Sequence, residues 1–209
     1  MAGTVLSVNV GRARKVQHRG RAVPTGIWKA PVEGRVAASA TSLDGDEQGD
    51  RAGHGGPDQA VYAYAREDYA WWEKELDRAL APGTFGENLT LRGVDVSGAR
   101  IGERWTIGTT VLEVSSARTP CWKLGLRMDD PGFVKRFGAA GRPGAYLRVV
   151  CEGELAAGDG VALVWRPPHN VDMALMSRVC LHDHSRAGEL LEADALPGRW
   201  RRWAQRRAA

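Results

Sequence analysis

A chain of 209 residues with 29 basic and 25 acidic side chains carries a formal charge of +4. That length buries one substantial core with a small appendage, and that charge is too modest to imply general nucleic-acid binding. Three cysteines, Cys121, Cys151 and Cys180, are few and odd in number, which argues against a disulfide framework and for a reducing, cytoplasmic setting; no signal peptide is legible at the start, and no stretch approaches the roughly twenty apolar residues of a membrane span.

Taken in chain order, Thr4 to Asn9 alternates as a first strand should. Arg12 to Pro31 is basic and punctuated by Gly and Pro, so a long loop is expected, with a short strand near Gly26-Ile27-Trp28-Lys29. Gly34 to Ser42 reads as the next strand. A Gly/Asp-rich connection, Asp44 to Pro57, leads into a buried strand over Ala60 to Ala65. Arg66 to Leu80 places Tyr69, Trp72, Leu76 and Leu80 at helical spacing behind early acidic residues, which predicts an amphipathic helix. Strands are then expected at Leu89 to Leu91, Arg104 to Ile107, Thr109 to Ser115, Ala145 to Cys151 and Gly160 to Trp165. Many short strands separated by turns indicate a barrel or a sandwich.

Past Pro167-Pro168 the texture becomes helical. Asp172 to Cys180 and Ala187 to Glu192 carry apolar residues at helical intervals, and Pro197 is placed to start a last helix through Trp200 and Trp203. The proline pair reads as a boundary between residues 1–166 and 167–209. His182-Asp183-His184 lacks a third placed ligand and reads as exposed capping residues. Arg199, Arg201, Arg202, Arg206 and Arg207 crowd the end of the chain; they either contact a phosphate or a partner, or complement a helix dipole, the latter being the commoner use.

The chemistry concentrates in Arg118-Thr119-Pro120-Cys121. The thiol falls just past a strand, behind a proline turn and beside a cation, where a thiolate can bind a metal or attack a substrate, although single cysteines are more often small core hydrophobes. His54-Gly55-Gly56 and Phe85-Gly86-Glu87-Asn88-Leu89 form two further unusual clusters. Glycine pairs are commonly only turns. His54 is the motif residue able to move a proton near neutral pH. Glu87 could do so only with a raised pKa, and otherwise serves as a structural carboxylate bonded to the amides of its own loop.

In this order, HGGPDQAVYAY (residues 54–64), FGENL (85–89), the Ile101-Gly102 and Ile107-Gly108 turns, RTPC (118–121) and PGAYLRV (143–149) resemble the MOSC family, named for the C-terminal domain of molybdenum cofactor sulfurases. Within it, the stand-alone bacterial YiiM-type branch is the most similar, over about residues 5–164 with a small three-helix appendage beyond. The resemblance implies a mainly β fold, a MOSC-type β-barrel with few helices plus a small C-terminal helical segment. It also implies a pterin-type molybdenum cofactor whose metal takes Cys121 as its protein thiolate, soft ligation that suits molybdenum. Lys29 and Arg148 match the family's basic positions for the pterin phosphate; Gly55 and Gly56 permit close backbone approach, Asn88 offers a donor and an acceptor to an amide-like heterocycle, and Arg118 and Thr119 flank the thiol.

The implied reaction is the two-electron reduction of a small N-hydroxylated substrate, such as a hydroxylaminopurine, to amine and water, with Cys121 and His54 as the catalytic pair. No flavin, nicotinamide or iron–sulfur motif is legible, so electrons are expected from a separate reductase. Neither a membrane nor nucleic acid is expected as a partner, and a homodimer is left open. The competing reading is a sulfur or cofactor carrier with a persulfide on Cys121. A larger sulfurase would bring a pyridoxal-phosphate domain, for which this chain is too short.

Overall fold

The computed structural model describes residues 3–49 and 55–208. Its centre is a closed barrel of seven strands. In chain order these are β1 (Gly3–Val10), β7 (Val61–Ala65), β8 (Leu89–Arg92), β9 (Arg104–Ile107), β10 (Thr110–Ala117), β11 (Ala145–Cys151) and β13 (Gly160–Trp165). Around the barrel they run β13-β9-β10-β11-β7-β8-β1, and β1 closes onto β13 through Gly3 opposite Val161 and Thr4 opposite Gly160. Closure removes the unpaired edges that an open sheet would expose. One pair, β7 with β8, is parallel. Parallel neighbours need a crossover, which α1 (Arg66–Leu76) supplies.

The remaining short strands lie outside the barrel. A hairpin, β2 (Arg14–His18) and β3 (Arg21–Thr25), occupies the basic stretch expected to be loop, while Gly26 to Lys29, expected as a strand, has no regular structure. Arg19 and Gly20, at φ 50° and 75°, form its two-residue turn between paired His18 and Arg21; tight hairpin turns of this kind need positive φ at both positions. Charged side chains on both faces hid the alternation. Next, β4 (Ala30–Pro31) lies on β1, and β5 (Val36–Ser39) pairs with β6 (Ser42–Leu43) on one side and with β12 (Gly153–Leu155) on the other.

The strand β7 explains how the core divides. All five of its residues are buried. Because side chains alternate across a strand, Val61, Ala63 and Ala65 enter the barrel core with Val5, Leu89, Leu112, Val114 and Leu147, whereas Tyr62 and Tyr64 face outward into an aromatic cluster with Tyr69, Trp72, Phe85, Phe133 and Phe137. Two helices absent from the sequence expectations complete that cluster: α2 (Trp122–Met128) and α3 (Phe133–Ala139). Both are only seven residues long, too short for periodicity alone to announce. Leu124 and Met128 of α2 and Phe133 and Phe137 of α3 are each buried four apart. Each such side chain contributes about 1.5–3 kcal/mol by leaving water, so the position of α2, and of the thiol at its start, is fixed by packing.

The chain after β13 forms α4 (Met173–Leu181), a 3-10 segment His184–Glu192 and α5 (Gly198–Ala208). Asp172 caps α4 by accepting from the Leu175 amide at 2.7 Å. Met173, Met176, Ala187, Leu190 and Ala204 join the same apolar core as the barrel. No helix among the described residues is long and apolar enough to cross a membrane.

Candidate functional site

A cleft of about 110 Å³ opens where the loop after β3, the loop after β6 and the starts of β7 and α2 converge. Lys29, Gly55, Asn88, Arg118 and Cys121 all line it. Cys121 is half-buried and sits at the N-cap of α2 in extended backbone, φ −126° and ψ 171°, with its sulfur capping no helix amide. The strand β10 delivers it: Ala117 ends the barrel strand, the chain turns, and α2 begins at Trp122.

Arg118 is buried behind the thiol, donating to the carbonyl of Phe85 and lying 5.0 Å over the Tyr62 ring. Burial opposes its charge, yet Tyr62, Tyr146 and Cys121 together hold its pKa above the ordinary guanidinium range. Across the cleft Lys29 is paired with Asp46, their side chains only 9% and 2% exposed. Burial lowers the pKa of Lys29, and Asp46 opposes that shift. Asp46 also accepts from the Gly11 amide and from Asn88 Nδ2, both at 2.9 Å. Asn88 Oδ1 in turn accepts the Tyr62 amide at 3.0 Å. Asn88 therefore joins β7, β1 and the Asp46 loop, and its polar atoms already have protein partners.

The glycines serve conformation. Gly55 and Gly56 stand at φ 130° and 83°, in the region that favours glycine, and a Cβ on Gly55 would meet Gln48 Oε1 at 2.1 Å. Their amides donate to Gln59 Oε1 at 2.9 Å and Gln48 Oε1 at 3.2 Å. His54, expected to move the proton, lies outside the described residues. Thr119 lines an adjoining cavity that shares Gln59 and Tyr146 with the cleft.

Arg148 departs from the anion pocket expected of it. It is absent from the cleft wall, and its guanidinium donates instead to Asp58 Oδ1 at 2.5 Å, Glu113 Oε1 at 2.6 Å and the carbonyl of Ala195 at 2.7 Å. Those partners engage its Nε, Nη1 and Nη2 and fasten β11 to the C-terminal segment. Cys151 is exposed at the end of β11. Cys180 is half-buried in α4, and burial pushes its thiol up to about 12.

Sequence reasoning missed Asp46, Gln59, Lys123 and Tyr146, all of which line the cleft. Lys123 had one signal, its place two residues after Cys121. Asp46 had none: it is one of several aspartates in a Gly-rich connection. Glu87, behind the cleft, is fully buried. Its Oε1 accepts from Tyr69 at 2.5 Å, the Gly83 amide at 2.7 Å and Thr90 at 2.8 Å, while Oε2 has no partner among the described residues. Burial carries its pKa up, against those hydrogen bonds.

Comparison with known proteins matches residues 50–162 to the MOSC domain. The chain belongs to the MOSC family. An uncharacterized protein, YflK of Bacillus subtilis, is 33% identical over 201 residues, covering 95% of this chain and 91% of that one. Among solved structures, that of YiiM from Geobacillus stearothermophilus is 30% identical with a TM-score of 0.83, covering 99% of this chain and 100% of that one. A longer Gibberella moniliformis protein named "Reductase" is 33% identical over 199 residues, of which this chain spans 35%. The MOSC barrel and the stand-alone YiiM-type organisation expected from the motifs are thus borne out.

Proposed function

We propose that this MOSC protein is a molybdenum-cofactor-dependent reductase of N-hydroxylated compounds, hydroxylaminopurines among them. The observation that carries the reading is Cys121: a half-buried thiol at the mouth of a cleft, with the buried cation of Arg118 beside it and Lys29 and Lys123 on the same walls. The donor set fits the group, since one soft sulfur suits molybdenum and a phosphate-bearing pterin needs cations already held in place. Being named a reductase, the longer Gibberella relative supports the redox class.

When bound, the cofactor supplies a soft metal and the electron pair that cleaves an N–O bond. This chain's residues do the rest. Cys121 holds the metal through its sulfur. Arg118, anchored on the Phe85 carbonyl, faces the anionic parts of the ligand with its charge kept, and Lys29 and Lys123 add to that field. His54 delivers a proton to the leaving hydroxyl. The electrons come from a separate donor protein.

Replacing each cysteine by serine and measuring bound molybdenum after reconstitution tests the ligand. Cys121→Ser should lose the metal, and Cys151→Ser and Cys180→Ser should keep it; the opposite pattern removes the assignment. In the loaded protein, His54→Ala should lower turnover of a hydroxylaminopurine by about 10²–10⁴-fold with a smaller effect on cofactor content. If loaded protein leaves N-hydroxylated bases, amidines and hydroxylamines untouched yet passes a labile sulfur from Cys121 to an acceptor, the carrier reading replaces this one.

A further inference from the structure

The cleft has a neighbour whose chemistry is different. Gln59 and Tyr146 line both cavities, and the far wall of the second is α5, which presents Arg199, Trp200, Trp203 and Arg206 to it. Spacings of four and three from 199 to 203 to 206 put these residues on one helix face, while Ala204 of the same helix is buried in the core. The two indoles sit 5.8 Å apart at 80°. Trp200 Nε1 is buried with no acceptor among the described residues.

The charges on this wall are only partly matched within the chain, Arg199 lying 5.1 Å over the Trp200 ring. Helix α5 carries five arginines and no acid. Among the described residues no ion pair involves Arg199 or Arg206, whereas Arg148, Arg166 and Arg186 elsewhere are paired. Arg206 lies in the last turn, where the helix dipole favours a cation. Arg199 lies in the first turn, where the dipole opposes one. A dipole role therefore accounts for one arginine, and the other is an exposed cation lying against Trp200 beside the cavity.

We infer that this second cavity is the substrate's recognition site, and that it takes an N-hydroxylated purine as its 5′-monophosphate rather than as the free base. The inference rests on the reductase reading and adds a substrate class to it. The indoles of Trp200 and Trp203 offer apolar surface on which a planar base can stack. Arg199 and Arg206 take the phosphate by charge-assisted hydrogen bonds. The hydroxylamino edge points past Gln59 and Tyr146 toward Cys121. In the reaction the N–O bond breaks, and two electrons from the separate reductase with two protons give the amine and water; the phosphate takes no part beyond binding.

The binding step is testable without turnover. Adenosine 5′-monophosphate, adenosine, adenine and inorganic phosphate, which carry the product amine or the bare anion, would be titrated into the full chain, followed by tryptophan fluorescence and calorimetry. The monophosphate should bind at least about tenfold more tightly than adenosine, the gain expected of a charge-assisted contact. Arg199→Ala with Arg206→Ala should erase that preference while leaving adenosine binding in place, and Arg199→Lys with Arg206→Lys should restore part of it. Equal affinities for monophosphate and nucleoside overturn the inference. So does a preference that survives the double alanine substitution, inorganic phosphate binding as tightly as the nucleotide, or a single-stranded oligonucleotide binding more tightly than the monophosphate. Because none of these readings uses turnover, failure of the reductase assignment would show separately, as loaded protein that reduces nothing.

Discussion

Glu87 shows how one residue ties the barrel to the cleft. Three donors converge on Oε1 while Oε2 has none among the described residues, and burial raises the pKa, so the folded state keeps a proton that the unfolded chain releases near the ordinary glutamate value of about 4.3. The sign follows from proton counting: the native state binds more protons than the unfolded one above that value, so this group's contribution to stability is full at lower pH and declines as pH rises toward the folded pKa. A glutamine at this position cannot titrate, although its amide keeps an acceptor for the same three donors. In denaturation measured at intervals upward from pH 4, Glu87→Gln should gain on the parent as pH rises above the ordinary glutamate value of about 4.3. A stability difference that is flat across that range would mean the carboxyl is ionised in the folded protein.

Among the elements, those whose pattern had one dominant cause were legible, and those built by two competing faces were not. The barrel strands showed because alternation and glycine turns coincide at Arg104–Ile107, Thr110–Ala117 and Gly160–Trp165. The last helix showed because Pro197 marks its start, with Trp200 and Arg201 both donating to the Pro197 carbonyl at 2.9 Å. Helices α2 and α3 were hidden by brevity and by the Asp130-Pro131-Gly132 turn between them, and the β2–β3 hairpin by charges on both its faces. In the site, the thiol, Arg118 and Lys29 were legible from the motifs; the Lys29–Asp46 pair and the true partners of Arg148 were not, since both join segments far apart in sequence. The two hidden helices govern the thiol. Trp72 is stacked parallel to Phe137 at 5.8 Å and tilted against Phe133 at 4.8 Å, and its Nε1 donates to the Tyr64 hydroxyl at 2.9 Å. Trp72→Ala should cost about 3–5 kcal/mol in chemical denaturation, the usual range for a buried tryptophan. It should also loosen α2, seen as faster alkylation of Cys121; unchanged thiol reactivity would separate the cluster from the site.

At the scale of the molecule, two sets of cations divide the work. Lys29 and Arg118 face the cleft, held by Asp46 and the Phe85 carbonyl, whereas Arg148 joins β11 to Asp58, to Glu113 of β10 and to the Ala195 carbonyl ahead of α5. That last contact makes Arg148 the polar tie between the barrel and the helix whose Trp/Arg face walls the second cavity. Removing the guanidinium leaves the Glu113 side chain, 11% exposed, with Arg104 as its remaining ion-pair partner among the described residues. Loss of a charged hydrogen-bond partner costs about 1.5–3 kcal/mol, and the partial exposure of Arg148 and Asp58 puts the expected loss at the lower end. Arg148→Gln should therefore destabilise the protein by about 1.5 kcal/mol and speed amide hydrogen exchange in α5, with metal and pterin content after reconstitution unchanged. Lys29→Met should lower cofactor retention and also cost about 3–5 kcal/mol of stability, because it strands the Asp46 carboxylate, only 2% exposed, without its cation. The two variants, measured by denaturation and by metal content, separate a cation that builds the walls from one that faces what they enclose. Cofactor loss in Arg148→Gln at unchanged stability would return Arg148 to the anion pocket.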